Sequence, residues 1–225
     1  MRFILKHFID KNEVISFDIF DTLMERTVLS PLDVFLIVGQ TGLGETEAVK
    51  FLIDRKQAER TARKKAPNGE VTLDEIYACL PAEYESEREN LKQVEIQTEL
   101  NCCKKKNSMM EIYKYAIASG KDVYLISDMY LSLDTIKMLL NKCEIAGYKK
   151  CYVSCEKRCN KISGVLFETV MNENRINSSN LLHIGDSFTA DFRGAKRAGI
   201  QALLIPRKNR CKRIWHDKSI RSKCR

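Results

Sequence analysis

Two carboxylates three residues apart, Asp18 and Asp21, stand directly after the apolar run Val14-Ile15-Ser16-Phe17. A carboxylate placed there can hold a hard cation or attack an electrophile. It is equally the place where an aspartate caps a turn. Three later stretches repeat the arrangement. Ser127 and Asp128 follow Val123-Tyr124-Leu125-Ile126, Lys161 precedes a helical stretch, and Gly185-Asp186-Ser187 follows Leu181-Leu182-His183-Ile184, with Asp191 beyond. Together they offer a carboxylate nucleophile, a hydroxyl, a cation and a second carboxylate. A phosphoryl group needs all four. Its oxygens take donors from Ser127, Lys161 and backbone amides, and a divalent cation offsets repulsion between the attacking carboxylate and the phosphate.

The elements that must position these groups follow from periodicity. The run before Asp18 is β-branched and aromatic and too short for a helix, so it reads as a buried strand. Further strands are expected at 123–126, 152–154, 181–184 and 202–205, alternating with helices at 132–142, 164–174 and 188–198. Such alternation specifies an α/β fold, a three-layer Rossmann-like parallel sheet with helices on both faces. Ligands of these sheets bind beyond the carboxyl ends of the strands.

Residues 24–106 break that alternation and read as almost wholly helical. Ser30-Pro31 starts a helix, which Gly39, Gly42 and Gly44 break. Ala48, Phe51, Leu52, Arg55, Ala58 and Ala62 mark the inner face of a second helix, Thr72-Leu73-Asp74-Glu75 begins a short third, and 83–103 forms a fourth, charged one. Lys104-Lys105-Lys106 is expected on an exposed face or joint. The chain therefore divides into a core of residues 1–23 and 107–205, an all-helical cap of 24–106 and a basic tail of 206–225.

The net charge of +8 resides in that tail, which carries nine Lys or Arg and one acid; residues 1–205 hold 29 basic and 29 acidic side chains. A solvated, weakly ordered tail serving location rather than chemistry is expected. The same charge suits weak contact with an anionic membrane surface, with Trp215 as a small apolar anchor; nucleic acid is the less favoured partner. No apolar run reaches the roughly 20 residues of a spanning helix. The first residues lack the pattern of a signal peptide, and an odd count of nine cysteines without one argues for reduced thiols. The expected location is cytoplasmic. His183, inside an apolar strand, reads as a core residue.

The order and strand context of Asp18, Ser127, Lys161 and Gly185-Asp186-Ser187 resemble the haloacid dehalogenase (HAD) superfamily, whose cap is inserted where residues 24–106 fall. More closely, Ser16-Phe17-Asp18-Ile19-Phe20-Asp21-Thr22-Leu23, Ile126-Ser127-Asp128-Met129-Tyr130 and Lys161 with Gly164-Val165-Leu166-Phe167 look like a subgroup of hydrolases found with bacterial surface-polysaccharide glycosyltransferases. The resemblance implies Asp18 as nucleophile forming an aspartyl-phosphate and Ser127 with Lys161 as phosphate ligands. It implies Mg²⁺ held by Asp18, the Phe20 carbonyl and Asp186, with Asp191 in support, and a small phosphorylated metabolite such as a sugar phosphate as substrate. One position departs. Where phosphatases of the superfamily carry a second aspartate as general acid, this chain has Phe20, and Asp21 is the nearest replacement. An aromatic there is what 2-haloacid dehalogenases have, so carbon–halogen hydrolysis is the alternative, and a non-catalytic binding module a third. Arg26 and Tyr130 lie close enough in sequence to line the cleft.

Overall fold

Five short apolar strands form the centre: β1 (Val14–Phe17), β4 (Asp122–Ser127), β5 (Lys150–Val153), β6 (Leu181–Gly185) and β7 (Gln201–Leu204). The structure, a computed structural model, describes residues 1–207 and 210–223, with backbone alone at 210, 211 and 221–223. The strands are all parallel in the order β5-β4-β1-β6-β7. After β1 the chain builds outward on one side through β4 and β5, then crosses to the other through β6 and β7. β1 therefore lies at the point where the winding reverses, where such sheets open a crevice. Ile15, Phe17, Leu125, Leu182 and Ile184 have no exposed surface, as a sheet covered by helices on both faces requires.

The helices that flank the sheet are α1 (Arg2–Asp10), α6 (Asn107–Ala118), α7 (Leu133–Lys142), the single turn α8 (Ser154–Lys157) and α9 (Val165–Asn174). The helix expected at 188–198 is instead a π-helical segment, Phe188–Gly194, followed by one α turn, α10 (Ala195–Arg197). Helix α1, and the short strands β2 (Met24–Arg26) and β3 (Cys103–Lys105), are not among the elements expected from the sequence. The two strands form a separate two-stranded ribbon where the chain leaves and re-enters the core.

Compact contacts group Met1–Glu25 with Lys105–Arg207, and Arg26–Lys104 with Lys208–Arg225. The second unit contains α2 (Pro31–Leu43), α3 (Ala48–Lys65), α4 (Leu73–Tyr77), α5 (Arg88–Cys102) and α11 (Arg210–Lys223). Ser30 caps α2 and Asp33 completes the capping box. Helix α2 runs through Gly39 and Gly42 rather than breaking at them. A Cβ on Gly39 would lie 2.7 Å from the Ala48 Cα, and one on Gly42 would lie 2.6 Å from a Leu91 methyl. These glycines permit close helix packing, and only Gly44, with φ +94°, ends the helix.

Inside this unit Arg55, wholly buried, makes two 2.8 Å bonds to Glu95. Tyr77 Oη donates to the same carboxylate at 2.8 Å, and the Arg55 guanidinium lies 4.5 Å from the centre of the Phe35 ring. Arg26 forms a two-bond pair with Glu99.

The basic tail contains the helix α11, in which His216 Nε2 bonds to Asp33 Oδ1 at 2.6 Å while Trp215 is 75% exposed. Lys208 and Arg225, part of the basic run, lie outside the described residues. Among the described residues no helix is long and apolar enough to cross a membrane, and Cys151, Cys155 and Cys159 are not in disulfides.

Candidate active site

The register of the sheet brings the separate sequence signals to one edge. Phe17 is opposite Leu125 on one side and Ile184 on the other. The Asp18 N–H donates to the Ile184 carbonyl at 3.0 Å, carrying the pairing one residue past β1. Asp18, Ser127 at the end of β4 and Gly185-Asp186 at the end of β6 therefore share the carboxyl edge. All three polar side chains are at least nine-tenths buried.

Lys161 joins them from the loop before α9. Its Nζ lies 2.6 Å from Asp18 Oδ1 and 2.5 Å from Asp191 Oδ1. The Lys161 main-chain N–H donates to the Asp128 carboxylate at 3.0 Å, which ties the loop to the end of β4. A Cβ on Gly194 would lie 1.9 Å from the Lys161 carbonyl oxygen, so the loop reaches its position only because residue 194 has no side chain. Gly185 acts alike for Asp191, whose carboxyl carbon would lie 2.3 Å from an added Cβ.

Asp191 sits in the π-helical segment, and its Oδ2 accepts the Ser187 N–H at 2.7 Å. His183 Nε2 approaches Oδ1 at 3.3 Å. Burial works to raise the Asp191 carboxyl, but the Lys161 charge and the bonds from His183 and Lys161 override it and hold the group far below the ordinary range. Asp18 goes the other way. Burial pushes it up to about 7; Lys161 pulls it back, and the neighbouring carboxylates of Asp191 and Asp186 add to the rise. Burial would lower Lys161, yet Asp18 and Asp191 raise it overall, so the ammonium keeps its proton. Burial lowers His183 and leaves it neutral at physiological pH.

Asp186 is raised by burial and pulled down by Arg207, whose Nε bonds to its Oδ2. Arg207 also lies 3.8 Å from Asp21. Residue 207 therefore belongs with the carboxylates and not with a tail that serves location alone, a correction to the sequence reading. Asp21 adopts a left-handed backbone, φ 60°, a conformation short polar side chains tolerate. Its carbonyl accepts from Lys106 Nζ. Lys106, expected on an exposed face or joint, is 4% exposed. Phe20 is half-buried and its backbone bridges to Met24 at the start of β2.

Asp18, Asp186 and Asp191 each place one oxygen within 4.8 Å of the others. Asp18 Oδ2 is buried and has no hydrogen-bond partner, a costly state for a carboxylate oxygen unless a ligand completes it. Hard carboxylate oxygens suit Mg²⁺. The residues therefore fit a small divalent cation between Asp18 and Asp186. Asp191 is already committed to Lys161, His183 and Ser187.

Sequence reasoning underrated four residues: Ser16, Asp128, His183 and Arg207. A signal existed for two of them. Ser16 and His183 are the lone polar side chains in strands β1 and β6, and a buried polar group needs a partner.

Comparison with known proteins bears on the fold. The HAD-hydrolase-like family profile matches residues 158–216, which include Lys161, Asp186 and Asp191. No curated protein sequence matches the chain. Among solved structures, YfnB of Bacillus subtilis, assigned to the HAD hydrolases and bound to magnesium, is similar with a TM-score of 0.61 at 17% identity over 93% of this chain and 99% of that one. A haloacid dehalogenase-like family hydrolase from Xanthomonas campestris gives 0.61 at 13% identity, over 95% and 94%. L-2-haloacid dehalogenase from Xanthobacter autotrophicus gives 0.57 at 13% identity, over 86% and 77%. The five-stranded parallel sheet, the helical insertion after its first strand and these likenesses together give the chain the fold of the HAD-like hydrolases.

Proposed function

We propose that the protein is a Mg²⁺-dependent phosphohydrolase or phosphotransferase that acts through an aspartyl-phosphate at Asp18. The observation that carries this reading is the Asp18 carboxylate itself. One oxygen is held by Lys161 and the other is buried without a partner, beside Asp186. Asp18 attacks phosphorus, the bond to the leaving oxygen breaks, and that oxygen takes a proton. Water then cleaves the acyl phosphate and regenerates the carboxylate. Ser127 and Lys161 bind the phosphate oxygens. Lys161 also opposes the rise in the Asp18 pKa that burial causes. When bound between Asp18, the Phe20 carbonyl and Asp186, Mg²⁺ supplies charge that offsets repulsion between carboxylate and phosphate. Asp191 supports the arrangement through Lys161. Asp21 is the nearest carboxylate able to protonate the leaving oxygen, since Phe20 has no acid to offer.

The proposed substrate class is a small phosphorylated metabolite such as a sugar phosphate; the sequence resemblance supports a part in surface-polysaccharide synthesis, and the cytoplasm is the proposed location. One observation favours a second reading, hydrolysis of a 2-haloacid by attack of Asp18 on carbon. Phe20 stands where the general acid would, and a dehalogenase is among the similar folds. Turnover of an aryl phosphate with and without Mg²⁺ separates the two. The proposal expects hydrolysis that chelation removes and Mg²⁺ restores, with Asp186→Ala greatly weakening that dependence. Metal-independent release of chloride from 2-chloropropionate, with no phosphatase activity, would replace it with the second reading.

A further inference from the structure

Ser16 and His183 are register partners across the β1–β6 pair, and both are wholly buried. Ser16 Oγ lies 2.8 Å from His183 Nδ1, and His183 Nε2 lies 3.3 Å from Asp191 Oδ1. Asp191 Oδ1 meets Lys161 Nζ at 2.5 Å, and Lys161 meets Asp18 Oδ1 at 2.6 Å. The contacts thus leave β1 at Ser16 and return to the same strand at Asp18, two residues on.

Elementary donor and acceptor rules fix the direction of this chain. An ionised carboxylate only accepts, so Nε2 carries the proton that faces Asp191. A neutral ring then has Nδ1 as an acceptor, and the Ser16 hydroxyl donates to it. Phe167 packs against the imidazole at 70°, with ring centres 4.7 Å apart, which leaves the ring little room to turn. Both nitrogens are spent on side chains that lead to the site.

We propose that His183 is a positioning residue, holding the Asp191 carboxylate in the orientation that aims Lys161 at Asp18. This rests on the reading of Asp18 as nucleophile and Lys161 as its cation. Asp191 Oδ1 takes two donors and Oδ2 one, from the Ser187 N–H. Without the imidazole the carboxylate keeps only Lys161 and the Ser187 N–H as donors, so its rotation about the Cβ–Cγ bond is less restrained and the ammonium moves with it. A shift of the order of 1 Å at a reacting group costs about 10²-fold in rate.

Three variants test this by crystal structure and by kinetics on an aryl phosphate with Mg²⁺. H183F keeps the ring and its packing but removes both nitrogens, H183Q restores an amide donor and an acceptor, and S16A removes only the hydroxyl. In H183F, Lys161 Nζ is expected to lose contact with Asp18 or Asp191, and kcat to fall about 10- to 100-fold with a smaller change in KM. H183Q should recover both the contacts and most of kcat, and S16A should show a smaller loss in the same sense. If H183F does not fold, the contrast between H183Q and S16A decides. Lys161 unmoved in H183F, H183Q no better than H183F, or S16A at wild-type kcat and geometry would each overturn the proposal. If Lys161 moves as expected but the wild-type protein hydrolyses no phosphate ester, positioning by His183 stands and the phosphohydrolase reading fails.

Discussion

The guanidinium of Arg207 lies on the carboxylate of Asp186, the same group that the proposed Mg²⁺ site requires. One oxygen cannot serve a tightly held guanidinium and a small hard cation equally well. Arg207 and the metal therefore compete. Arg207→Gln should tighten Mg²⁺ binding about tenfold, ~1.4 kcal/mol, read by calorimetry or by Mn²⁺ electron paramagnetic resonance. Unchanged affinity would mean that Arg207 already leaves Asp186 at no cost.

Asp18→Asn should abolish turnover, because the amide is nearly the same shape but is not an anionic nucleophile. Wild-type turnover in this variant would rule out the covalent route.

The same substitution has a consequence for stability. Asp18 ionises near 3.8 in an unfolded chain and at about 7 in the folded protein without metal. Between those values the folded state binds more protons, so its stability falls as pH rises through the window. Asp18→Asn removes that loss. Metal-free Asp18→Asn should melt above the wild type at pH 7.5, by roughly 1–3 kcal/mol or several degrees. The gain should shrink towards pH 4. A constant difference across this range would show that burial of Asp18 is not its source.

Arg55→Leu should destabilise the helical unit by about 3–5 kcal/mol, since it leaves Glu95 charged and buried beside Tyr77. A double variant, Arg55→Leu with Glu95→Leu, should recover much of the loss. Thermal melts of both variants give the comparison, and a double variant no better than the single one would place the cost in packing.

Removal of residues 208–225 should leave turnover within about twofold of wild type, because Arg207 and the carboxylates remain. It should abolish salt-sensitive binding to anionic vesicles, where each basic residue near the surface contributes on the order of 1 kcal/mol. Removal from residue 206 onwards also deletes Arg207 and should alter Mg²⁺ affinity. Loss of turnover in the longer, Arg207-containing form would give α11 a part in the site.

Residue pattern alone determined the order of the sheet elements and the four strand-end signals, because strand periodicity and abrupt polar ends are local properties of the chain. Asp18, Ser127 and Asp186 were legible for that reason, and Lys161 as the cation ahead of a helical stretch. Asp191, Asp21 and Phe20 were legible as positions, while what they touch was not. The sequence reading of Gly39 and Gly42 as breakers failed because a glycine marks a turn and a close helix contact equally; only the proximity of Ala48 and Leu91 decides.

Tertiary structure decided how charges pair. Arg207 stands 21 residues from Asp186 and His183 stands 167 from Ser16, and no local periodicity encodes such pairs. Parallel register does: it set Ser16 against His183 and carried Asp18 beside Gly185. The same packing sent Arg26 to Glu99 and buried Lys106. Charge by itself told only that these side chains needed partners, since an ion in a low-dielectric interior is stable only when paired; which partner each received was fixed by the folded backbone.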